Sequence, residues 1–320
     1  MPLVKSLYQA PLLLRNAHVS TIMPSLCRKV NGVRYHRERI DTPDGDFLDL
    51  DWCHGASKNL VIITHGLEGS SKRPYVLGMA KYFHAHDWNV LAWNCRSCGG
   101  EINRKGRFYH HGETEDLHEI VRYAVNKKSF QNIALVGFSM GGSITIKFLS
   151  ELTMEQQQVV KCGVAASVPI DLADSVKEFR KRSMVFYRDK FLRRLEKKVK
   201  SKAQLYPEEI KYKDFSKIKY FSDFDNAYTA PLHGFDDAND FYEKASAKNF
   251  LSQVKAPLYL INALNDPFLT PACYPYELAE RSELIYLETP RHGGHVGFLQ
   301  RNSELTYIEE KALEFALNRS

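Results

Sequence analysis

Ser139 lies in Gly137-Phe138-Ser139-Met140-Gly141, directly after the apolar run Ile133–Val136 and directly before a helix-patterned stretch, Gly141–Leu149. That order of strand, tight turn and helix is what gives a G-x-S-x-G pentapeptide chemical meaning. Glycines let the chain reverse sharply without a Cβ clash. The serine is then lifted to the carboxyl edge of a sheet, and the Met140 N–H faces the same space as an oxyanion donor. A serine hydroxyl attacks poorly unaided. It requires a histidine to take its proton and a carboxylate to orient that histidine.

On an elbow of this kind the acid and then the base follow the serine in chain order. The run Leu258–Ile261 leads into Asn262-Ala263-Leu264-Asn265-Asp266-Pro267, which puts Asp266 just past a strand end. The run Leu284–Leu287 leads into Thr289-Pro290-Arg291-His292-Gly293-Gly294-His295. Strand ends are where a doubly wound sheet builds its site. Asp223, Asp225, Asp236 and Asp237 fall away from any strand end and rank below Asp266. Of the two histidines, His295 is favoured over His292, because Gly293-Gly294 can turn it back over the serine and Val296-Gly297-Phe298 can anchor it. His292 then defaults to a surface loop. The second oxyanion donor is expected in the loop His65-Gly66-Leu67-Glu68-Gly69-Ser70, at the Leu67 N–H. His65 reads as a brace for that loop, and Glu68 as facing water.

These residues need a scaffold, and the remaining pattern supplies one. Val33–Ile40 and Phe47–Trp52 alternate about Pro43-Asp44-Gly45, which predicts a hairpin. Leu60–Thr64, Asn89–Trp93, Ile133–Val136, Cys162–Val168, Leu258–Ile261 and Leu284–Leu287 read as buried strands. Pro74–His84, Thr114–Val125, Gly141–Leu149 and Glu304–Leu317 read as helices. Strands alternating with helices imply a mostly parallel sheet covered on both faces. The rhythm breaks between residues 171 and 245, which are basic, aromatic-rich and without a strand signal. So long an interruption predicts a helical cap inserted into a single α/β domain spanning 1–320.

The sequence resembles the α/β-hydrolase superfamily and, within it, the YheT-like branch of esterases. The resemblance spans nearly the whole chain. It includes Leu14-Arg15-Asn16-Ala17-His18-Val19-Ser20-Thr21, the 65–70 loop, Asn94-Cys95-Arg96, Tyr109-His110-His111-Gly112-Glu113-Thr114-Glu115-Asp116, the elbow, and Gly293-Gly294-His295-Val296-Gly297-Phe298. It implies Ser139 as nucleophile, Asp266 as acid and His295 as base, acting on carboxylic esters or in acyl transfer without a cofactor. Ser97 departs from the pattern, standing after Arg96 where relatives tend to have glycine.

Other motifs carry less. Cys95-Arg96-Ser97-Cys98 has no second pair to complete a zinc site, so no metal is expected. His111 and Asp116 fit an HxxxxD spacing but read better as a helix start, with Thr114 as N-cap. The 320 residues carry a net charge of +6, with 44% hydrophobic and 26% charged residues, a globular composition that excludes disorder. Between Lys177 and Lys219 stand 16 Lys/Arg against 6 Asp/Glu. That excess reads first as a solvated face, and second as a seat for an anionic substrate, lipid or membrane surface. No reading motif accompanies it, so nucleic acid is not expected. The N-terminal stretch lacks the apolar core of a secretory signal, and six scattered cysteines suit reduced thiols, which together predict a cytoplasmic protein. The expected activity is hydrolysis of a small-molecule carboxylic ester through an acyl-enzyme. The alternatives are an acyltransferase acting on an alcohol, and a membrane-peripheral lipid-binding protein.

Overall fold

Runs of consecutive apolar residues form strands here because both faces of the sheet are covered, so no side chain in them needs water. The computed structural model describes residues 3–128 and 130–319; residues 1, 2, 129 and 320, including the ends of the expected 1–320 domain, lie outside the described residues. Strand β1 (Leu3–Val4) and helix α1 (Ala17–Cys27) precede a hairpin, β2 (His36–Asp41) and β3 (Phe47–Cys53). Then β4 (Asn59–Thr64), α2 (Pro74–His84), β5 (Asn89–Asn94), α3 (Glu115–Lys128), β6 (Asn132–Phe138), α4 (Met140–Glu151), α5 (Met154–Val159) and β7 (Val160–Ala166) succeed one another. Helices α6 (Leu172–Glu178), α7 (Val185–Leu205), α8 (Phe221–Phe224), α9 (Ala230–His233) and α10 (Ala238–Ala245) follow. The chain ends with β8 (Leu258–Ile261), α11 (Tyr276–Arg281), β9 (Ile285–Glu288) and α12 (Tyr307–Leu317).

The strands form one sheet in the order β1-β9-β8-β7-β6-β4-β5-β3-β2. Among the described residues of this sheet, only the β2–β3 and β3–β5 pairings are antiparallel. This is the α/β-hydrolase fold, with the hairpin at one edge and helices between β7 and β8. Within β4 the period of two survives inside the apolar run. Leu60 and Ile62 join Leu117, Ile120 and Val121 of α3 on one face. Val61 and Ile63 join Val76, Met79 and Phe83 of α2 and Ile308 and Ala312 of α12 on the other. Each of these side chains larger than alanine stabilises the fold by about 1.5–3 kcal/mol relative to exposure.

The final helix begins at Tyr307 rather than Glu304 because Thr306 caps it, its hydroxyl accepting the Glu309 N–H while the Glu309 carboxylate accepts the Thr306 N–H. Glu309 also takes both guanidinium nitrogens of Arg28 at 2.6 and 2.8 Å, pinning the end of α1 to α12. At the start of α3 the Thr114 carbonyl accepts the His118 N–H, and the Thr114 hydroxyl donates to Glu151. Among the described residues no helix is long and apolar enough to cross a membrane.

Arg96, 2% exposed, holds the hairpin turn, the loop after β5 and the start of α3 together. It reaches Asp44 at 2.7 Å, Asp46 at 2.9 Å and Asp116 at 2.7 Å. Asp116 of the HxxxxD spacing is therefore a structural partner of Arg96. Ser97 meets the geometry of the glycine it replaces by adopting φ +63°, and its hydroxyl donates to Asn103 Oδ1 at 2.5 Å. Removing one member of a buried charge cluster strands the others. Arg96→Met should therefore lower the unfolding free energy by about 3–5 kcal/mol in urea denaturation. Arg104→Met, which breaks the exposed pair with Asp41, should cost less than about 1 kcal/mol.

Candidate active site

The turn from β6 into α4 places Ser139 at φ +54° and ψ −119°, a backbone conformation an L residue resists. Its neighbours make that tolerable. A Cβ on Gly137 would fall onto the Gly141 carbonyl, one on Gly141 onto the Thr64 carbonyl, and one on Gly142 onto Val168. The Ser139 N–H donates to the Ala166 carbonyl of β7 at 2.8 Å, so the strained residue is anchored to the next strand.

Ser139 Oγ lies 3.0 Å from His295 Nε2, and His295 Nδ1 lies 2.8 Å from Asp266 Oδ2. Asp266 is buried, and its other oxygen accepts the Phe268 N–H at 2.9 Å. The Phe268 ring packs on the imidazole with centroids 4.1 Å apart. The three side chains expected to converge thus do meet. His292 does not: its Nδ1 has no hydrogen-bond partner and it lines neither lobe of the cavity beside Ser139.

The histidine loop is held by residues that periodicity alone gave no means of finding. Gly293 and Gly294 both have positive φ, and a Cβ on Gly294 would strike Ser20 of α1. The His295 N–H donates to Thr21 Oγ1 of α1 at 2.9 Å, and the Val296 N–H to Ser167 Oγ at 2.9 Å. The Gly294 N–H donates to Asn265 Oδ1 at 3.0 Å, one residue before the acid. Helix α1, in turn, starts where the Asn16 side chain accepts the His18 and Val19 N–H groups. The only signal for it was the Leu14–Thr21 likeness.

The Gly66–Gly69 turn closes through Gly69 N–H to the Gly66 carbonyl at 2.9 Å. The Gly66 N–H donates to Tyr75 Oη and the Glu68 N–H to Tyr109 Oη, which leaves the Leu67 amide for the cavity. Gly66 sits so close to the elbow that a Cβ there would lie 3.1 Å from that of Ser139. Met140 opens α4, so its N–H is among those without an intrahelical acceptor. Glu68 does not face water. Its carboxylate takes Lys198 Nζ of α7 at 2.5 Å and the Tyr109 hydroxyl at 2.6 Å.

Ser139 and His295 stand where two lobes of the cavity meet. One is walled by Leu172, Phe179, Phe191, Leu195, Phe221 and Phe224. The other includes Thr21, Arg73, Phe186, Lys190 and Arg194. Cys95 and Cys98 are free thiols, and burial raises the pKa of both, which makes them poor nucleophiles and ligands. Among the described residues one group, His110, Glu113 and His233, brings three possible ligand atoms within 4.8 Å of one another. His110 Nδ1 accepts the Gly112 N–H, so its proton occupies Nε2, the atom that faces Glu113. With the Arg107 guanidinium 3.8 Å from Glu113 as well, the group does not suit a cation.

Residues 59–181 match the family model described as alpha/beta hydrolase fold. The chain is 31% identical over 290 residues to the protein named "Putative esterase YheT" of Escherichia coli (strain K12), covering 89% of this chain and 84% of that one. It is 25% identical over 294 residues to a mouse protein named phospholipase ABHD3, covering 88% and 71%. Among solved structures, the Pyrococcus furiosus esterase Pf2001 superposes with a TM-score of 0.59 at 22% identity, covering 91% and 95%.

His65 braces the 66–69 turn from beneath. Its Nε2 accepts the Cys95 N–H at 3.1 Å, which fixes the proton on Nδ1, and that N–H donates to the Gly66 carbonyl at 2.7 Å. Burial holds its pKa down to about 4. The folded protein refuses a proton that the unfolded chain, with pKa near 6.5, takes up. This contribution to stability is whole above pH 6.5 and is lost as pH falls toward 4. From pH 7 to pH 5 it should amount to about 2 kcal/mol. In urea titrations at the two pH values, His65→Gln should show a decline smaller by about that amount; an equal decline in the variant would remove His65 as its source.

Proposed function

This chain belongs to the α/β-hydrolase family of YheT, and from that premise we propose that it hydrolyses carboxylic esters through Ser139, His295 and Asp266. The observation that carries the reading is the unbroken pair of hydrogen bonds, 3.0 Å and 2.8 Å, from alcohol to imidazole to carboxylate. In this reading His295 Nε2 takes the Ser139 proton as Oγ attacks the acyl carbon. The carbonyl oxygen becomes an anion received by the N–H groups of Leu67 and Met140. The Asp266 carboxylate, out of water, stabilises the imidazolium so formed and keeps its ring oriented. The imidazolium then gives its proton to the leaving alcohol. Water, deprotonated by the same nitrogen, attacks the acyl-enzyme, and the acid leaves as His295 returns that proton to Ser139 Oγ.

Residues 171–245 act as the cap, with the aromatic-walled lobe taking the acyl chain. Phe179, Phe191, Phe221 and Phe224 offer area without hydrogen-bond partners, which suits hydrocarbon better than a polar acyl group. The substrate is a small-molecule ester, and its reaction at these groups needs no cofactor.

Ser139→Ala should abolish labelling by a fluorophosphonate probe and lower kcat for p-nitrophenyl butanoate by roughly 10⁴- to 10⁶-fold, as should removal of His295. His292→Gln should stay near the parent rate. Persistent labelling of Ser139→Ala would refute the assignment.

A further inference from the structure

Helix α7 carries Lys190, Arg194, Lys198 and Lys202 at intervals of four, hence along one face. That face turns inward rather than to solvent. The far half of the stripe has its donors taken. Lys198 pairs with Glu68, and Lys202 donates to the carbonyls of Lys105, Gly106 and Arg107 at 2.6, 3.0 and 2.8 Å. The near half does not. Lys190 and Arg194 are half-buried and line the lobe beside Ser139 and His295 together with half-buried Arg73.

Arg73 Nη2 and Arg194 Nη1 converge on a single acceptor, the Glu68 carbonyl, at 2.8 and 3.4 Å. Among the described residues Lys190 Nζ has only the Phe186 ring, 5.9 Å away. Among the described residues no carboxylate lies within ion-pair distance of these three, whereas Arg28 on the same lobe is satisfied by Glu309. Burial and the charges of Arg194 and Arg73 lower the pKa of Lys190, and burial and Arg73 lower that of Arg194 by more than the nearby Glu68 carboxylate raises it. Three like charges held together out of bulk water repel one another, and a bound anion removes that cost.

We propose that Arg73, Lys190 and Arg194 seat an anionic group, phosphate or carboxylate, carried on the alcohol part of the ester that Ser139 cleaves. This rests on the ester-hydrolase reading above and deepens it to a substrate class. The Glu68 carbonyl to which the cations converge is one residue from the Leu67 amide, so the anion lies within a few bonds of the scissile ester. The apolar lobe, on the other side of Ser139, keeps the acyl chain. The cluster therefore sets specificity by charge on the leaving group.

The test compares kcat/KM for three octanoyl esters that differ in the alcohol part: 1-octanoylglycerol, 1-octanoylglycerol 3-phosphate and the octanoyl ester of 3-hydroxybutyrate. The parent should prefer one or both anionic esters by about tenfold or more at low salt, and the preference should shrink at high salt. Which anion is preferred tells phosphate from carboxylate. The ratio of anionic to neutral ester, read within each variant so that general damage cancels, should fall toward one in Lys190→Gln/Arg194→Gln. It should be largely kept in Lys190→Arg. A parent without preference for either anion, or a ratio unmoved in the double variant, overturns the proposal. Failure to turn over any of the three esters and p-nitrophenyl butanoate would instead overturn the hydrolase reading, and this proposal with it.

Discussion

The whole arrangement depends on one backbone constraint, the left-handed conformation of Ser139 between β6 and α4. A non-glycine residue there costs of order 1–3 kcal/mol unless its surroundings impose it. Here they do: Gly137, Gly141 and Gly142 give the turn no room for side chains, and the Ala166 carbonyl fixes the serine amide. The sheet exists in the order observed so that β6 lies between β4 and β7, each of whose ends sends a loop to the same point. From β4 comes the Leu67 turn, which Gly66 allows to approach the serine. From β8 and β9 come Asp266 and His295. Strain at one residue is thus carried by hydrogen bonds and core packing distributed over several strands.

Local signals made much of this legible. Strand β8 spans Leu258–Ile261 and helix α2 spans Pro74–His84, as the apolar runs and Pro74 predict. Ser139, Asp266 and His295 could be located because each follows a strand, and a strand end is a position sequence can mark. Partners separated along the chain were beyond such reading. Glu68 was expected in water because its position in a glycine-rich loop names no partner for its carboxylate; Lys198, which pairs with it, lies 130 residues away. Likewise Thr21 reaches the His295 amide across 274 residues. Helix α1 escaped pattern reading because Pro24 stands within it and its larger apolar residues Val19, Met23 and Leu26 are exposed instead of forming a buried stripe.

The basic segment teaches a related lesson. Composition suggests a solvated face, since lysine and arginine are rarely buried alone. Spacing of four along α7 turns part of that charge inward, where Lys202 exhausts its three donors on backbone carbonyls and Lys198 neutralises a carboxylate. Net charge counted over a segment therefore says little about which way it points. Each cation has to be followed to its partner before the remainder can be read as available for a ligand.

The Lys198–Glu68 contact also has a mechanical meaning. A single carboxylate, sharing Tyr109 with the amide of its own residue, belongs both to the turn that carries the Leu67 N–H and to the anchorage of the longest helix above the cavity. Lifting that helix away would expose a carboxylate and an ammonium and loosen the turn in the same movement. Access and the shape of the turn are therefore interlocked: a displaced roof would slacken the Leu67 turn, and the latched roof holds the cavity in its full shape.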